Sequence, residues 1–299
     1  MPPEVEEATD AAAGKPHYDD DAVQGLDALD APPSTPRGRT GLLRALLAPV
    51  VALVVLVAIW QALWAAAFWP EYQLPAPIAV WDQFAKLVDT GQVWELLWVS
   101  VHRAVIGFAI SLVVATPLGL LMAKVSLVRA AIGPIVSGLQ SLPSVAWVPA
   151  AVLWFGLTDA AIYTVVLLGA VPSIANGLVA GIDQIPPILP RVGQVLGAGR
   201  LASARYILLP AALPGYLAGL KQGWAFSWRS LMAAELIATS PQLGFGLGQY
   251  LDNGRALSDM SMVMSGILLI FLVGVGIELA VFRPLERAVL RARGLTGAL

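Results

Sequence analysis

Apolar runs long enough to cross a bilayer alternate with short polar breaks along most of this chain. The first, at about Leu42–Trp69, follows Arg37, Arg39 and Arg44 and ends in Trp60, Trp64, Phe68 and Trp69. About 20 apolar residues cover about 30 Å of hydrocarbon, so a span is predicted here, with its aromatic cluster at a lipid–water boundary. Ile78–Val88 is shorter, with Val80, Phe84 and Leu87 at helical spacing, and predicts an amphipathic helix on the outer surface. Further spans are predicted at about Leu97–Ala123, Ala160–Ile182, Leu209–Ala238 and Met260–Phe282. Between the second and fourth spans, Val128–Gly156 is apolar but interrupted by Gly133, Pro134, Pro143 and Pro149. That pattern predicts a broken third span, whose freed backbone groups need neighbouring protein or a cavity. Residues 241–254, rich in glycine, read as a polar turn region before the last span.

Composition agrees with a membrane chain. Of the 299 residues 58% are hydrophobic and 13% charged, against about a quarter charged in soluble domains. Residues 1–36 stand apart: Glu4, Glu6, Glu7, Asp10 and Asp19 to Asp21 make an acidic stretch without an apolar core, expected to be a disordered tail and not a secretion signal. Residues 37–299 read as one all-α, polytopic domain of about six spans. The bases Arg37, Arg39, Arg44, Lys124, Arg129, Arg191, Arg200, Arg205 and the arginines after Phe282 all fall on one face of that arrangement. The positive-inside rule then puts both termini and the 183–208 loop in the cytoplasm.

Candidate chemistry is sparse. Gly14 and Lys15 are followed by Pro16, so there is no phosphate-binding loop, and no zinc-protease or nucleophile-elbow motif occurs. There is no cysteine, and His17 and His102 are too far apart to pair as metal ligands. Ser100 beside His102 is slight support for a hydrolase, and neither an enzyme nor a metal site is expected. Charges inside spans carry more weight, since each costs about 2.5–3.5 kcal/mol on insertion scales. Arg103 is expected to snorkel from near the outer interface. Arg229 and Glu235 are six residues apart, on nearly opposite sides of one helix, and are expected to pair with other helices. Glu235 reads either as half of an interhelical ion pair or as a solute contact. Lys221 lines a pathway or pairs locally. Gln140, Ser141, Ser144 and Trp147, in the broken span, suit a pore lining and equally suit hydrogen bonds across helices.

The most polar interior loop runs from Gly197 to Pro210. Gly197, nine further residues, Ile207, one residue, then Leu209 and Pro210 resembles the signature loop of permease subunits of binding-protein-dependent ABC importers. That motif opens with E-A-A, whose places here hold Arg191, Val192 and Gly193. Taken alone, the stretch also reads as an ordinary basic loop. Pro143, Ala146 and Pro149 with Trp154, Phe155 and Gly156, the Leu74 to Pro77 motif, and Ala234, Glu235 and Leu236 resemble further family patterns, covering about residues 74–290. They are similar to the nitrate, sulfonate and taurine branch.

The resemblance implies a type I importer permease fold, a partner second copy of the chain, an ABC ATPase dimer holding ATP and Mg, and an extracytoplasmic solute-binding protein. It implies that Arg191, Gly197, Ala198, Arg200, Ser203, Arg205, Ile207, Leu209 and Pro210 belong to the element coupling the permease to the ATPase. Residues 191–206 are then expected to form one short helix along the membrane surface, with Gly197 giving close approach to the ATPase. Gln140, Ser141, Ser144, Trp147, Lys221, Arg229 and Glu235 are the pathway candidates, for a small anionic solute. The other classes are an ATPase-independent secondary transporter or channel, and a membrane scaffold.

Overall fold

The computed structural model describes residues 39–238, 240 and 243–291, with backbone only at 39–46, 200 and 204. The expected acidic tail, 1–36, lies outside the described residues. The chain divides into two units at Val54 and Val55. Helix α1 covers Arg39–Ala65, and all later described elements belong to the unit that begins at Val55.

Among the described residues all regular structure is helical. α2 (Pro77–Asp89) is the amphipathic helix expected at Ile78–Val88, burying Val80 and Leu87. Its entry is fixed by Trp60, whose indole N–H donates to the Pro75 carbonyl at 3.0 Å. α3 (Gln92–Lys124) starts five residues before the expected span. α4 (Ser126–Ser141) and α5 (Val148–Phe155) form the broken span, separated by a 3-10 turn at Ser144–Trp147 and bent by 100°. Pro143 explains the break: it lacks an N–H, and its ring forces Leu142 into the extended region (ψ 134°). α6 (Asp159–Asp183) accommodates Pro172 without ending. α7 (Ile188–Val195), α8 (Arg200–Ser203) and a π-helical turn at Ala204–Leu208 lead into α9 (Leu209–Ile237). The glycine-rich region expected to be turns contains a helix, α10 (Leu247–Ala256). α11 (Met260–Ile277) passes through a π turn at Glu278–Phe282 into α12 (Arg283–Arg291).

By length and apolarity, four stretches qualify as membrane spans: Leu47–Ala65, Gln92–Lys124, Asp159–Asp183 and Met260–Arg291; the bent α4–α5 pair makes a fifth if it counts as one. α9 is long enough at 29 residues, but Lys221, Gln222, Arg229 and two prolines make it less apolar than those four. The expected count of six is therefore not reached on these grounds.

α6 is the central helix. Of its most apolar stretch 61% is buried, against 28% for α3 and 22% for the α11–α12 stretch. Its most extensive partner is α9. The reason is a repeat that runs down both helices at four-residue intervals: Gly169, Ser173, Gly177 and Gly181 on α6, Gly215, Gly219, Gly223 and Ser227 on α9. Residues four apart share a face of a helix, so two small-residue stripes meet and the backbones touch. A Cβ on Gly219 would lie 2.7 Å from the Gly177 Cα, and one on Gly215 2.6 Å from the Gly181 Cα. The Ser173 and Ser227 hydroxyls are buried without hydrogen-bond partners, so small size is what the seam requires of them.

Replacing Gly177 or Gly219 by leucine forces backbone apart from backbone and is expected to cost at least about 1–3 kcal/mol, the usual range for overpacking. Gly276→Leu is the control, because a Cβ there meets nothing within 4 Å. Thermal unfolding of the purified variants in detergent checks this: a Gly219→Leu protein that melts with the Gly276→Leu control overturns the seam.

Candidate functional site

The coupling-type loop is built by a helix terminator. Gly197 has φ 76°, a conformation that costs other L-residues about 1–2 kcal/mol. Its N–H donates to the Gln194 carbonyl at 3.0 Å, and the Ala198 N–H reaches back to the Gly193 carbonyl at 2.9 Å. These two bonds form the Schellman end of α7. Residues 191–206 are therefore not the single helix expected; α7 stops at Gly197 and α8 starts afresh. Within this chain a Cβ on Gly197 would meet open space, so backbone conformation is what demands glycine there. Within the chain the close approach is at Gly193, where a Cβ would overlap the Ile207 side chain. Leu209 and Pro210 open α9, with proline in its first turn where no N–H is needed.

Arg191 and Arg205 are exposed, Ala198 and Ser203 half-buried, and the expectation for the Arg200 side chain lies outside the described residues. The Arg205 guanidinium sits 5.8 Å from the Tyr206 ring centre. Beside these bases the loop exposes Val195 (87%), Leu196 (80%), Leu201 (82%) and Tyr206 (72%). Four large apolar side chains thus stand exposed on a basic, polar loop. Their apolar character was readable in the sequence; which of them face outward was not, because that depends on the break at Gly197.

At the other end of α9 lies a buried ionic lock. Glu235 has no exposed surface, and its carboxylate accepts from Ser100 Oγ (2.7 Å), Arg103 Nη1 (3.2 Å) and the Gly248 N–H (3.1 Å). Arg103 also donates from Nε to Asp159 Oδ1 at 2.8 Å and from Nη2 to the Leu243 carbonyl. Ser100 Oγ accepts from the Leu247 N–H at 2.8 Å. One cluster thus joins α3, α6, α9 and the start of α10. Arg103 does not snorkel; it is 5% exposed. With α3 starting at Gln92, it sits three turns into the helix, opposite Glu235. Gly246 and Gly248 are required by the same cluster, since a Cβ on either would run into the Glu235 side chain at 2.7 and 2.5 Å.

The remaining candidates fall into two places. On the face of α9 bordering α11 and α12, a cavity of about 790 Å³ is lined by Lys221, Gln222, Trp228, Arg229, Glu278 and Glu286, among others. Lys221 pairs with Glu278 at 2.5 Å and lies 3.9 Å from Glu286. Arg229 is exposed, 4.6 Å from the Phe226 ring centre, and only its Nε is engaged, to the Ala225 carbonyl at 3.2 Å. Trp228 Nε1 is buried without a partner. On the other flank of α9, Ser144 Oγ accepts from Ser230 Oγ at 2.7 Å, and Gln140 Oε1 accepts from Asn176 Nδ2 at 2.8 Å. These bonds pin the broken span to α6 and α9. Ser141 bonds the Gly138 carbonyl within its own helix, and Trp147, half-buried, lies 6.5 Å from Trp154 between ring centres. Gln222, Asn176 and Ser230 carry the same sequence signal as the residues singled out, polar side chains within apolar runs. Among the described residues no cluster of side chains suits a metal ion.

Residues 115–289 match the family of binding-protein-dependent transport system inner membrane components, more than half of the chain. A putative ABC transporter permease protein of Methanocaldococcus jannaschii is 29% identical over 195 residues, 65% of this chain and 72% of that protein. The taurine transport system permease protein TauC of Escherichia coli is 28% identical over 222 residues, 72% and 78% of the two chains. The putative aliphatic sulfonates transport permease protein SsuC of Bacillus subtilis is 28% identical over 257 residues, 86% and 90%. The chain belongs to the family of binding-protein-dependent transport system inner membrane components, and is the permease subunit of an ABC importer and not an ATPase-independent transporter.

Arg103→Met leaves the Glu235 carboxylate buried and short of its charge partner, a change that typically costs about 3–5 kcal/mol. Adding Glu235→Gln removes the orphaned charge and is expected to restore part of that loss. The check is a double-mutant cycle on the unfolding midpoint; strict additivity of the two substitutions would show that they are not coupled.

Proposed function

We propose that this permease subunit forms, with a second copy of itself, the pathway of an importer for a small organic anion of the sulfonate type. The observation that carries this is the exposed face of α9, where Ala218, Gln222, Ala225 and Arg229 follow one another at three- and four-residue spacing. Gln222 and a guanidinium whose Nη groups are unengaged among the described residues, both inside a helix of this length, are costly against lipid and suit water, solute or a second chain. Nη1 and Nη2 of Arg229 offer the planar fork that pairs with sulfonate or carboxylate oxygens. The relatives transporting taurine and aliphatic sulfonates support that class of solute. Lys221, held by Glu278, lines the same cavity, whereas Gln140, Ser141, Ser144 and Trp147, in the broken span on the other flank of α9, line no part of it. Glu235 belongs to the outer lock and takes no part in solute contact.

In this reading the 183–208 loop faces the cytoplasm with both termini, and docks an ABC ATPase that holds ATP and Mg. This chain then carries out no hydrolysis itself. Val195, Leu196, Leu201 and Tyr206 form the apolar centre of the contact, with Arg191 and Arg205 at its rim. The extracytoplasmic partner is a solute-binding protein, as the family's dependence on one implies.

Arg229→Ala is expected to reduce solute uptake at least about tenfold, about 1.4 kcal/mol, with expression and thermal stability unchanged. Uptake equal to wild type removes Arg229 from the pathway. The orientation has its own check. The chain has no cysteine, so Leu201→Cys creates a unique thiol on the loop. An impermeant maleimide is expected to label it in inside-out vesicles, to leave it untouched in intact cells, and to be blocked by the bound ATPase; labelling from outside intact cells reverses the topology.

A further inference from the structure

The broken span is only lightly held by packing. Val136 is the one buried residue of α4, whereas α6 is buried along most of its length. Side-chain bonds make up the difference. Near the break, Gln140 takes a bond from Asn176 of α6 at 2.8 Å. At the other end of α4, Arg129 donates from Nη1 to Asp183 Oδ1 at 2.8 Å and from Nη2 to Oδ2 at 2.6 Å. Two parallel bonds match the planar fork of a guanidinium to a carboxylate, and fix orientation as well as distance. Asp183 is the last residue of α6, where the 183–208 loop begins.

Both residues stand at a helix end that disfavours their charge. Arg129 is the fourth residue of α4, at the positive end of that helix, and Asp183 closes α6 at its negative end. No neighbour compensates: α4 has no acidic residue in its first turn, and α6 no basic residue in its last. Local helix stability therefore selects against each of them, and such a conflict points to what the pair joins. Global stability does not explain it either. The two side chains are 48% and 41% exposed, and ion pairs so open to water contribute little. What the bond supplies is position: it fixes the foot of α4 to the root of the loop.

We infer that Arg129 and Asp183 are positioning residues of the transport cycle: their bidentate bond makes the foot of the broken span follow the loop that meets the ATPase. The inference rests on the importer reading. A displacement of the loop acts on α6 at Asp183 and on α9 at Leu209, and the glycine seam binds these two helices to one another. α4 shares no such seam. A Cβ on its Gly133 would come no nearer than 3.9 Å to another side chain, and one on its Gly138 would meet nothing within 4 Å. The ion pair is then the link through which the span carrying Gln140, Ser144 and Trp147 is moved from its foot.

A fluorescent label on the broken span tests it, since the chain has no cysteine of its own. Ile135→Cys, at an exposed position of α4, is labelled with bimane before assembly with the ATPase, and the complex is placed in nanodiscs. With the Arg129–Asp183 pair intact, ATP trapped by vanadate is expected to change the bimane emission. In Arg129→Gln, and separately in Asp183→Asn, that change is expected to be lost at equal amounts of trapped nucleotide, while the melting temperature falls by at most about 4 °C. Exchanging the two charges, Arg129→Asp with Asp183→Arg, is expected to restore the emission change. The exchanged protein is also expected to melt no lower than wild type, because each charge then stands at the helix end that favours it. An emission change that persists in either single variant, that is absent from the wild-type pair, or that the exchange does not restore overturns the inference. A permease that binds no ABC ATPase sinks the importer reading itself, and this inference with it.

Discussion

Everything else in this protein depends on two backbones lying against each other. Between helices surrounded by lipid there is little hydrophobic gain, because the tails are as apolar as leucine. Close packing has to supply the attraction, and it does so best where no side chain keeps the axes apart. The four-residue repeats on α6 and α9 bring Gly177 onto Gly219 and Gly181 onto Gly215. Glycine within a helix costs about 1 kcal/mol relative to alanine, so a run of them on facing stripes makes sense only if the contact returns more than that. The consequence is positional. Once one face of α9 is committed to α6, its neighbouring faces are fixed as well: Ser230 toward the broken span, Trp224 and Trp228 toward α11 and α12, and Gln222 with Arg229 toward open space.

The charges of α9 then sort by what surrounds them. Glu235 lies deepest in protein and has three donors, one of them a guanidinium, so its burial is compensated. Lys221 lies in a partly open cavity and takes two carboxylates from the α11–α12 side. Arg229 has only a ring face and one carbonyl. A structural role is sufficient to account for Glu235 and Lys221. It does not account for Arg229, whose two terminal nitrogens have no partner among the described residues, and this is why the functional weight falls there.

How much of this was legible in the sequence follows the range of each interaction. The amphipathic α2, the long apolar helices and the break at Pro143 come from local patterning and steric rules, and the structure has them within a few residues. The start of α3 was misplaced because Gln92 to Leu96 mixes polar and apolar residues, and the true start is set by the turn at Gly91, which has φ 75°. α10 was missed because Gly248 and Gly254 disfavour a helix locally; its first amides are held by Glu235, on the preceding helix, and by Ser100, far away in the sequence. That Arg103 is the partner of Glu235 spans 132 residues and has no local signature. The glycine repeats are different. Their spacing is written in the sequence, and only the knowledge that α6 and α9 are neighbours turns it into a contact.

The same geometry bears on how the two ends of the molecule communicate. α9 runs from the loop at Leu209 to the lock at Glu235, and its 29 residues correspond to about 43 Å at 1.5 Å per residue. At its foot, the π turn at Ala204–Leu208 and the Gly193–Ile207 contact connect it to α7. A displacement of the loop that is passed to α9 has to carry α6 along, because backbones in contact cannot slide without lifting the glycine stripes over one another. α3 is packed on this pair as well: a Cβ on Gly119 would lie 2.9 Å from the Ala175 carbonyl oxygen of α6, and one on Gly107 2.8 Å from Val166. The three helices α3, α6 and α9 therefore form one stiff body, and the lock of Arg103, Ser100 and Glu235 closes it at the end where α10 begins.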